Sequence, residues 1–207
     1  ELVDALIHEG VFPASTRAIY ETAFRRWASR QDAYEKYIMA VVRAFMKHLT
    51  GVRYADFSRV AKKVVAFHQN RVYRYTRNLI RDLKKRGYYL LAISQSPMEL
   101  VQHFGRKMGF DKMYGRVYET GKDKRFTGKV LFLDLISDKA KVLRRAVAKE
   151  NLTLKNSVGV GDTEGDIAFL RLVSRPICFN PNKKLYDYAK RHHWKIVVER
   201  KDVIIKL

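Results

Sequence analysis

The chain has 207 residues, of which 47% are apolar, so it is long enough to bury a sizeable core and is not expected to be disordered. Its single cysteine, Cys178, excludes an internal disulfide framework and a cysteine-rich zinc site. The sequence contains no run of eighteen apolar residues, so no membrane-spanning helix is predicted. The formal charge of +21, from 42 Lys and Arg against 21 Asp and Glu, attracts anions such as phosphorylated metabolites, nucleic acid or anionic lipid. Because the basic residues are spread along the polar faces of predicted helices, the simpler interpretation is a solvated basic surface, and a dedicated nucleic-acid or membrane surface is the alternative.

Residues 1–70 are predicted to form helices only. Apolar residues recur at helical spacing in four consecutive segments: LVDALIHEGVF, STRAIYETAFRRWAS, DAYEKYIMAVVRAFMKHLTG and YADFSRVAKKVVAFHQN. Gly51 is well placed to end the third helix, because glycine readily takes the left-handed conformation there. We therefore expect an all-helical domain over residues 1–70.

From residue 71 the pattern changes to helices that alternate with short apolar strands. The helix VYRYTRNLIRDLKKRG precedes the buried strand YYLLAIS, and the next helix is predicted to begin with Ser96 as N-cap, Pro97 at the first position and Glu99 completing a capping box. Two short strands follow, about a turn at residues 121–124.

The last third of the chain continues the alternation. Its predicted elements are, in order, the helix SDKAKVLRRAVAKEN, the strand NSVGVGD, the helix TEGDIAFLRLVS, the strand PICFN, the helix KKLYDYAKRHH and the last strand WKIVVE. Alternating strands and helices indicate an α/β domain over residues 71–207, with a mostly parallel, Rossmann-like sheet flanked by helices.

Three positions at the ends of these elements carry candidate chemistry, because ligands of open α/β sheets bind beyond the carboxyl ends of the strands. Ser94 ends a strand before a helix, where its hydroxyl and the N–H of Gln95 could hold a phosphate, although Ser94 could instead simply close a turn. Lys139 lies in the first turn of a helix, where a cation opposes the helix dipole, so it is either a phosphate ligand or one more surface lysine.

The segment GVGDTEGD is the most informative of the three. Asp162 follows a buried strand, and Asp166 lies one helical turn later, where it could also complete a capping box with Thr163. Asp162 is not needed for that box, and two carboxylates in this arrangement suit Mg²⁺ bound together with water and a substrate phosphate.

Taken in order, ISQSPMELV, SDKAKVLRRAV and VGVGDTEGDIAFL resemble the second, third and fourth motifs of the haloacid dehalogenase superfamily, in its phosphoserine-phosphatase-like branch (subfamily IB). The resemblance covers about residues 71–198, and residues 1–70 resemble the helical cap of that family. It implies a Mg²⁺-dependent phosphomonoester hydrolase that acts through an aspartyl-phosphate. Asp162 would bind Mg²⁺, Asp166 would support the metal or orient Lys139, and Ser94 and Lys139 would hold the transferring phosphoryl group.

The first motif of that family, DxDx[TV], which carries the nucleophilic aspartate, is not in this sequence. Asp4, Asp32, Asp56 and Asp82 all lie in helical patterns, and none follows an apolar strand. We expect an N-terminally truncated chain that lacks its leading strand, since it does not begin with Met; an inactive relative and a misleading resemblance are the alternatives. The missing strand would leave an apolar cleft with unpaired backbone groups, so the chain is expected to be poorly stable and inactive.

The substrate is expected to be a small phosphorylated metabolite, and the sequence does not define which one. Glu1 would contact a substrate amine if the first helix corresponds to that of the phosphoserine enzymes. The rival function is a catalytically dead basic module that binds nucleic acid or anionic membrane, although no nucleic-acid-binding motif is present. A cytoplasmic location is expected from the single cysteine and from an N-terminus without the pattern of a secretory signal.

Overall fold

The computed structural model describes residues 1–201 and 203–207, and the chain divides into two compact units. The first unit contains residues 1–71, 96–107 and 115–131, and the second contains residues 72–95, 108–114 and 132–207. The first unit therefore includes the predicted helical segment together with later parts of the chain, and a domain boundary at residue 70 stays a prediction. None of the described helices is both long enough and apolar enough to cross a bilayer.

The first unit is built from helices and a β-hairpin. Its elements are α1 (Leu2–His8), a 3₁₀ turn (Ala14–Arg17), α2 (Ala18–Ala28), α3 (Tyr34–Leu49), α4 (Tyr54–His68), all but the last residue of α6 (Met98–Met108), the larger part of β2 (Lys112–Thr120) and β3 (Phe126–Leu131). Leu6, Phe12, Phe57 and Phe126 are fully or almost fully buried in one core. α3 ends at Leu49 with Thr50 as its C-cap, and Gly51 follows with a φ of +82°.

The second unit carries the alternating elements. These are α5 (Arg74–Lys85), β1 (Leu91–Pro97), α7 (Leu133–Ile136), α8 (Lys139–Lys149), β4 (Val158–Gly161), a 3₁₀ turn (Glu164–Asp166), α9 (Ile167–Leu170), β5 (Arg175–Phe179), α10 (Lys183–Arg191), β6 (Lys195–Arg200) and β7 (Val203–Lys206). Helices cover both faces of β5 and β6: Tyr75 and Leu79 of α5 pack on one face, and Leu185 and Ala189 of α10 pack on the other.

The strands form two sheets, of order β1-β2-β3 and β4-β5-β6-β7. β4 pairs in parallel with β5, and β5 in parallel with β6, while β2 pairs with β3 in antiparallel. The α/β class with a mostly parallel sheet and flanking helices is therefore confirmed. Within the described residues, however, β1 belongs to a different sheet from β4, which leaves β4 as an edge strand.

Two local predictions were wrong. The chain does not end with β6, because Val203–Lys206 turn back and pair in antiparallel with it. The strand before α6 continues through Pro97, so α6 begins at Met98 and neither Ser96 nor Pro97 has the predicted capping position. One carboxylate oxygen of Glu99 is buried without a hydrogen-bond partner among the described residues, and the capping box between Ser96 and Glu99 stays a prediction.

The first turn of α5 is stabilised by the carboxylate of Glu199, which is distant in sequence, so no local pattern predicts this contact. Glu199, buried on β6, accepts hydrogen bonds from the backbone N–H of Arg74 at 2.9 Å and of Tyr75 at 2.9 Å. Burial by itself raises the pKa of Glu199, but these two N–H groups and the Arg74 guanidinium outweigh it, and the pKa lies below its ordinary value. Glu199 thus satisfies two donors that a helix start otherwise leaves without partners.

We expect Glu199→Gln to reduce stability by about 1–3 kcal/mol, because the amide nitrogen of glutamine cannot accept from a backbone N–H. Hydrogen exchange at the Arg74 and Tyr75 amides should accelerate at least tenfold. Because the pKa of Glu199 is lower in the folded state, its contribution to the free energy of unfolding is fully present above the ordinary glutamate pKa. This contribution is lost as the pH falls through the lower pKa of the folded state. The exposed change Glu35→Gln is the control; equal exchange rates in wild type and Glu199→Gln would contradict this role.

Candidate active site at the carboxyl end of β4

The loop that follows β4 is organised around the carboxylate of Asp166, which is fully buried. One of its oxygens accepts hydrogen bonds from the backbone N–H of Asp162 at 2.8 Å and of Thr163 at 3.1 Å. The other oxygen accepts from the ammonium of Lys139. The predicted capping box between Thr163 and Asp166 is present. The buried charge is therefore compensated on both oxygens, which a buried carboxylate requires.

Gly161 is the residue that allows Asp166 to lie this close to β4. A methyl group at Gly161 would lie 2.5 Å from the Cβ of Asp166 and 2.8 Å from its Cγ. Real side chains do not make contacts this short, so any larger residue must displace the carboxylate. In the sequence GDTEGD, Gly161 therefore ends the strand without a side chain, and the Asp166 side chain packs against the space that this leaves.

Lys139 is brought to the loop by α8. Asp138 caps this helix, because its carboxylate accepts from the N–H of Ala140 at 2.9 Å and of Lys141 at 3.1 Å. The Lys139 side chain is about one-fifth exposed, and its ion pair with Asp166 fixes where its ammonium lies. A cation in the first helical turn, where the helix dipole disfavours it, is explained by this partner.

Asp162 lies at the exposed end of β4, and its carbonyl oxygen accepts from the N–H of Asn182 at 2.8 Å. Neighbouring protein partly desolvates its carboxylate and raises its pKa, and the negative charge of Asp166 raises it further, while Lys139 opposes the shift. The raised pKa means that the surroundings disfavour the negative charge of Asp162, so a cation bound beside this carboxylate would be favoured.

The residues of this loop could provide one protein ligand for Mg²⁺, the carboxylate of Asp162, but not a complete coordination shell. Asp162 is exposed and can turn its carboxylate to a cation, whereas both oxygens of Asp166 already accept hydrogen bonds. Among the described residues, no group of three or more His, Cys, Asp or Glu side chains could hold a metal ion. Mg²⁺ commonly binds through one or two carboxylates and completes its shell with water and substrate phosphate, so Asp162 alone is compatible with it.

Ser94 and Gln95 lie on β1 in the same unit. The Gln95 side chain donates to the carbonyl of Ile136, three residues before Lys139, and thereby ties β1 to the segment that leads into α8. Ile93, Lys139 and Val160 line one groove, so the structure brings together the three elements that carry Ser94, Lys139 and Asp162. The direct contact of Ser94 and Gln95 with a phosphoryl group stays a prediction.

This space, the β1–β4 groove, is an apolar cavity of about 760 Å³ in the second unit. Leu91–Ile93 of β1 and Val158–Val160 of β4 line it, together with Leu143 and Phe169. Val160 is 38% exposed there, although it lies in the middle of a short strand. An apolar groove beside an edge strand is a place where a further extended segment could pair.

Glu1, predicted to contact a substrate amine, lies in the first unit. Its carboxylate is 3.4 Å from His68, and its terminal ammonium is 3.1 Å from Asp4. The proposed contact of Glu1 with the substrate stays a prediction.

Sequence reasoning missed two residues that shape the site, Asn182 and Asp138, and one contact, that of Gly161 with Asp166. Asn182 caps α10 and binds the carbonyl of Asp162, and an asparagine just before the helical segment KKLYDYAKRHH was an available signal. Asp138 before Lys139 was a capping signal of the same kind. The close approach of Gly161 and Asp166 has no such signal, because it depends on how the loop folds.

The family follows from these observations and from a sequence comparison. The sequence model of the family described as "haloacid dehalogenase-like hydrolase" matches residues 2–171, which include β4, the Asp162–Asp166 loop and Lys139. The chain belongs to this family, and the likeness to its phosphoserine-phosphatase-like branch is confirmed by the relatives below.

Three curated proteins are similar to the chain. The "Inhibition of morphological differentiation protein" of Streptomyces azureus is 27% identical over 65% of this chain and 49% of its own length. The "Histidinol-phosphatase" of Neisseria meningitidis serogroup C is 27% identical over 74% of this chain and 73% of its own. The "Phosphoserine phosphatase" of Archaeoglobus fulgidus is 28% identical over 55% and 33%. The chain thus matches about half the length of the first relative and a third of the last.

A solved structure described as "Phospho-Aspartyl Intermediate Analogue of Phosphoserine phosphatase" has the same fold. It superimposes with a TM-score of 0.60 at 20% identity, over 98% of this chain and 88% of the other. At this identity the likeness shows the fold.

We expect Gly161→Ala to destabilise the protein by about 1–3 kcal/mol, because the new methyl group must displace Asp166 from its three donors. Urea denaturation measures the loss. Gly165→Ala is the matched control, since a methyl group there meets nothing closer than Thr163 Oγ1 at 3.6 Å. Equal stability of the two variants would show that the close approach of Gly161 does not matter.

Proposed function

We propose that this chain forms the larger part of a Mg²⁺-dependent phosphomonoester hydrolase. The observation that carries the proposal is the loop after β4, where Asp166 holds the Lys139 ammonium while Asp162 stays exposed at the strand end. A fixed cation and an exposed carboxylate at the carboxyl end of a parallel strand suit a phosphoryl group and its metal. Membership of the hydrolase family and two relatives named as phosphatases support the same reaction class.

Each residue has a defined part in this proposal. Lys139 would stabilise the negative charge of the phosphoryl group in the transition state, and Ser94 would donate a hydrogen bond to one of its oxygens. Asp166 would act by orienting Lys139. Asp162 would hold Mg²⁺, which when bound supplies charge neutralisation and alignment of the phosphate.

The chemical step implied by the family requires a nucleophilic aspartate. Its carboxylate oxygen attacks phosphorus, the bond to the leaving alcohol oxygen breaks, and that oxygen takes a proton; water then hydrolyses the aspartyl-phosphate. Asp4, Asp56 and Asp82 lie within α1, α4 and α5, whereas Asp32, also predicted to be helical, lies between α2 and α3. Cys178 is no substitute, because burial raises the pKa of its thiol to about 11.

We propose that the nucleophile lies outside residues 1–207, on an extended apolar segment that fills the β1–β4 groove. The groove is apolar, has about 760 Å³ of space and exposes Val160 of an edge strand that can accept a further strand. A strand bound there in parallel with β4 would end level with Asp162. The relatives of this chain are longer than the region it matches, so further protein is available in related chains to supply such a segment.

The substrate class is a small phosphomonoester. The named relatives act on histidinol phosphate and phosphoserine by their titles, and both are phosphorylated amines or amino acids. The excess of positive charge suits an anionic substrate but does not distinguish these from other phosphomonoesters. Glu1 remains a candidate for binding the amine.

Purified 1–207 is expected to show no Mg²⁺-dependent hydrolysis of p-nitrophenyl phosphate, phosphoserine or histidinol phosphate. The reading frame upstream of codon 1 is expected to encode an apolar strand followed by D-x-D-x-T, and a protein that includes this segment should hydrolyse at least one of the three. Turnover by 1–207 itself, abolished by Asp162→Asn, would contradict the location of the nucleophile.

In the protein that includes this segment, Asp162→Asn should reduce kcat/KM by about 10²–10³, because a metal-binding charge is lost at the phosphoryl group. Chelation of Mg²⁺ should have a similar effect on the wild type and little further effect on the variant. Asp134→Asn, an exposed acid of the same unit, is the charge-matched control and should retain full activity. Equal activity of the Asp162→Asn and Asp134→Asn variants would refute the proposed role.

The rival function, a basic module that binds nucleic acid or anionic membrane, rests on the formal charge of +21. Salt separates the two functions. Binding to a single-stranded oligonucleotide should weaken steeply between 50 and 200 mM salt, as counterions are released, roughly tenfold or more. Loss of catalysis in Asp162→Asn should be independent of ionic strength.

A further inference from the structure

A second cavity lies in the same unit at the opposite edge of the sheet. This amino-edge cavity has a volume of about 750 Å³ and lies where β5 and β6 begin, at Arg175 and Lys195. Arg175 pairs with Val158 at the start of β4, whereas Gly161, next to Asp162, is three residues further along the strand. Three residues of strand span about 10 Å, so Arg175 and Lys195 lie away from the Asp162 end of β4, while the cavity shares Leu79, Leu83 and Arg86 with the β1–β4 groove.

The lining of the amino-edge cavity is positively charged. Arg86, Arg171, Arg175 and Lys195 line it, together with two histidines, and no Asp or Glu is among its lining residues. Within the described part of the chain, none of these four cations forms a salt bridge with a carboxylate. Four cations that converge without a neutralising acid attract an anion and repel other cations.

Part of the lining of the cavity is apolar and aromatic. Leu79, Leu170 and Ile177 line it, as do Tyr188 and Trp194. The Tyr188 ring also stacks on His192, with centroids 3.9 Å apart and planes at 12°. Trp194 meets the Tyr188 ring edge to face at 5.1 Å. Rings packed in this way form a stiff surface on which a planar group can stack.

We propose that the amino-edge cavity binds a nucleoside phosphate. The base would lie against the apolar and aromatic wall, and the phosphates would bind Arg171 and Lys195 at the rim. The volume of about 750 Å³ lies within the range usual for small-molecule sites and suits a mononucleotide. A cationic surface for a long nucleic acid would instead extend as an open groove with several stacking positions.

Fluorescence anisotropy of N-methylanthraniloyl-ADP tests the proposal with purified 1–207 in Mg²⁺-free buffer at 150 mM salt. Arg171→Gln combined with Lys195→Gln should weaken binding at least tenfold, because two phosphate contacts are lost. Arg144→Gln combined with Arg145→Gln removes the same charge from α8, away from the cavity, and should change binding less than twofold. Lys139→Met, at the candidate active site, should also leave binding intact.

Three results would overturn the proposal: no binding by the wild type, equal weakening in the two arginine-containing double variants, or loss of binding in Lys139→Met. The first removes the site, the second indicates attraction by overall charge, and the third places the nucleotide at the candidate active site. Binding of a single-stranded RNA oligonucleotide without binding of the mononucleotide would also contradict it. Circular dichroism melting of each variant checks that it is folded.

Discussion

The second unit depends on how the buried carboxylate of Asp166 is satisfied. An uncompensated charge at full burial would be strongly destabilising, and here two backbone N–H groups and one ammonium compensate it. Those three bonds fix the course of the loop after β4, the distance between this loop and α8, and the direction of the Lys139 side chain. All three of these bonds depend on Gly161, because no larger residue at this position leaves room for the Asp166 carboxylate.

The parallel strands give the two edges of this sheet different chemistry. At the carboxyl edge, one fixed ammonium and one exposed acid, Asp162, create a site that suits a phosphoryl group together with a cation. At the amino edge, four cations surround an aromatic wall without any acid, which suits an anion alone. The positive charge of the chain therefore has a different effect at each edge, because acidic residues lie beside the cations only at the carboxyl edge.

Much of the carboxyl edge could be predicted from sequence because its signals are local. The capping box of Thr163 and Asp166 and the position of Lys139 in a first helical turn follow from short-range spacing, and the structure has both. The partition into two sheets, the strand β7 and the extension of β1 through Pro97 depend on pairing between distant segments. Pairing partners leave no local signal, and the position of β4 at the edge of its sheet likewise depends on which distant strands pair.

A double-mutant cycle on Lys139 and Asp166 tests most directly whether this ion pair organises the site. The free energies of unfolding of Lys139→Met, Asp166→Asn and the double variant are compared with the parent in a Trp27→Phe background, so that Trp194 alone reports on the second unit. We expect a coupling energy of about 1.5–3 kcal/mol, since the two groups share one buried contact. Additive effects, with a coupling energy below about 0.5 kcal/mol, would show that the two residues act independently and would contradict it.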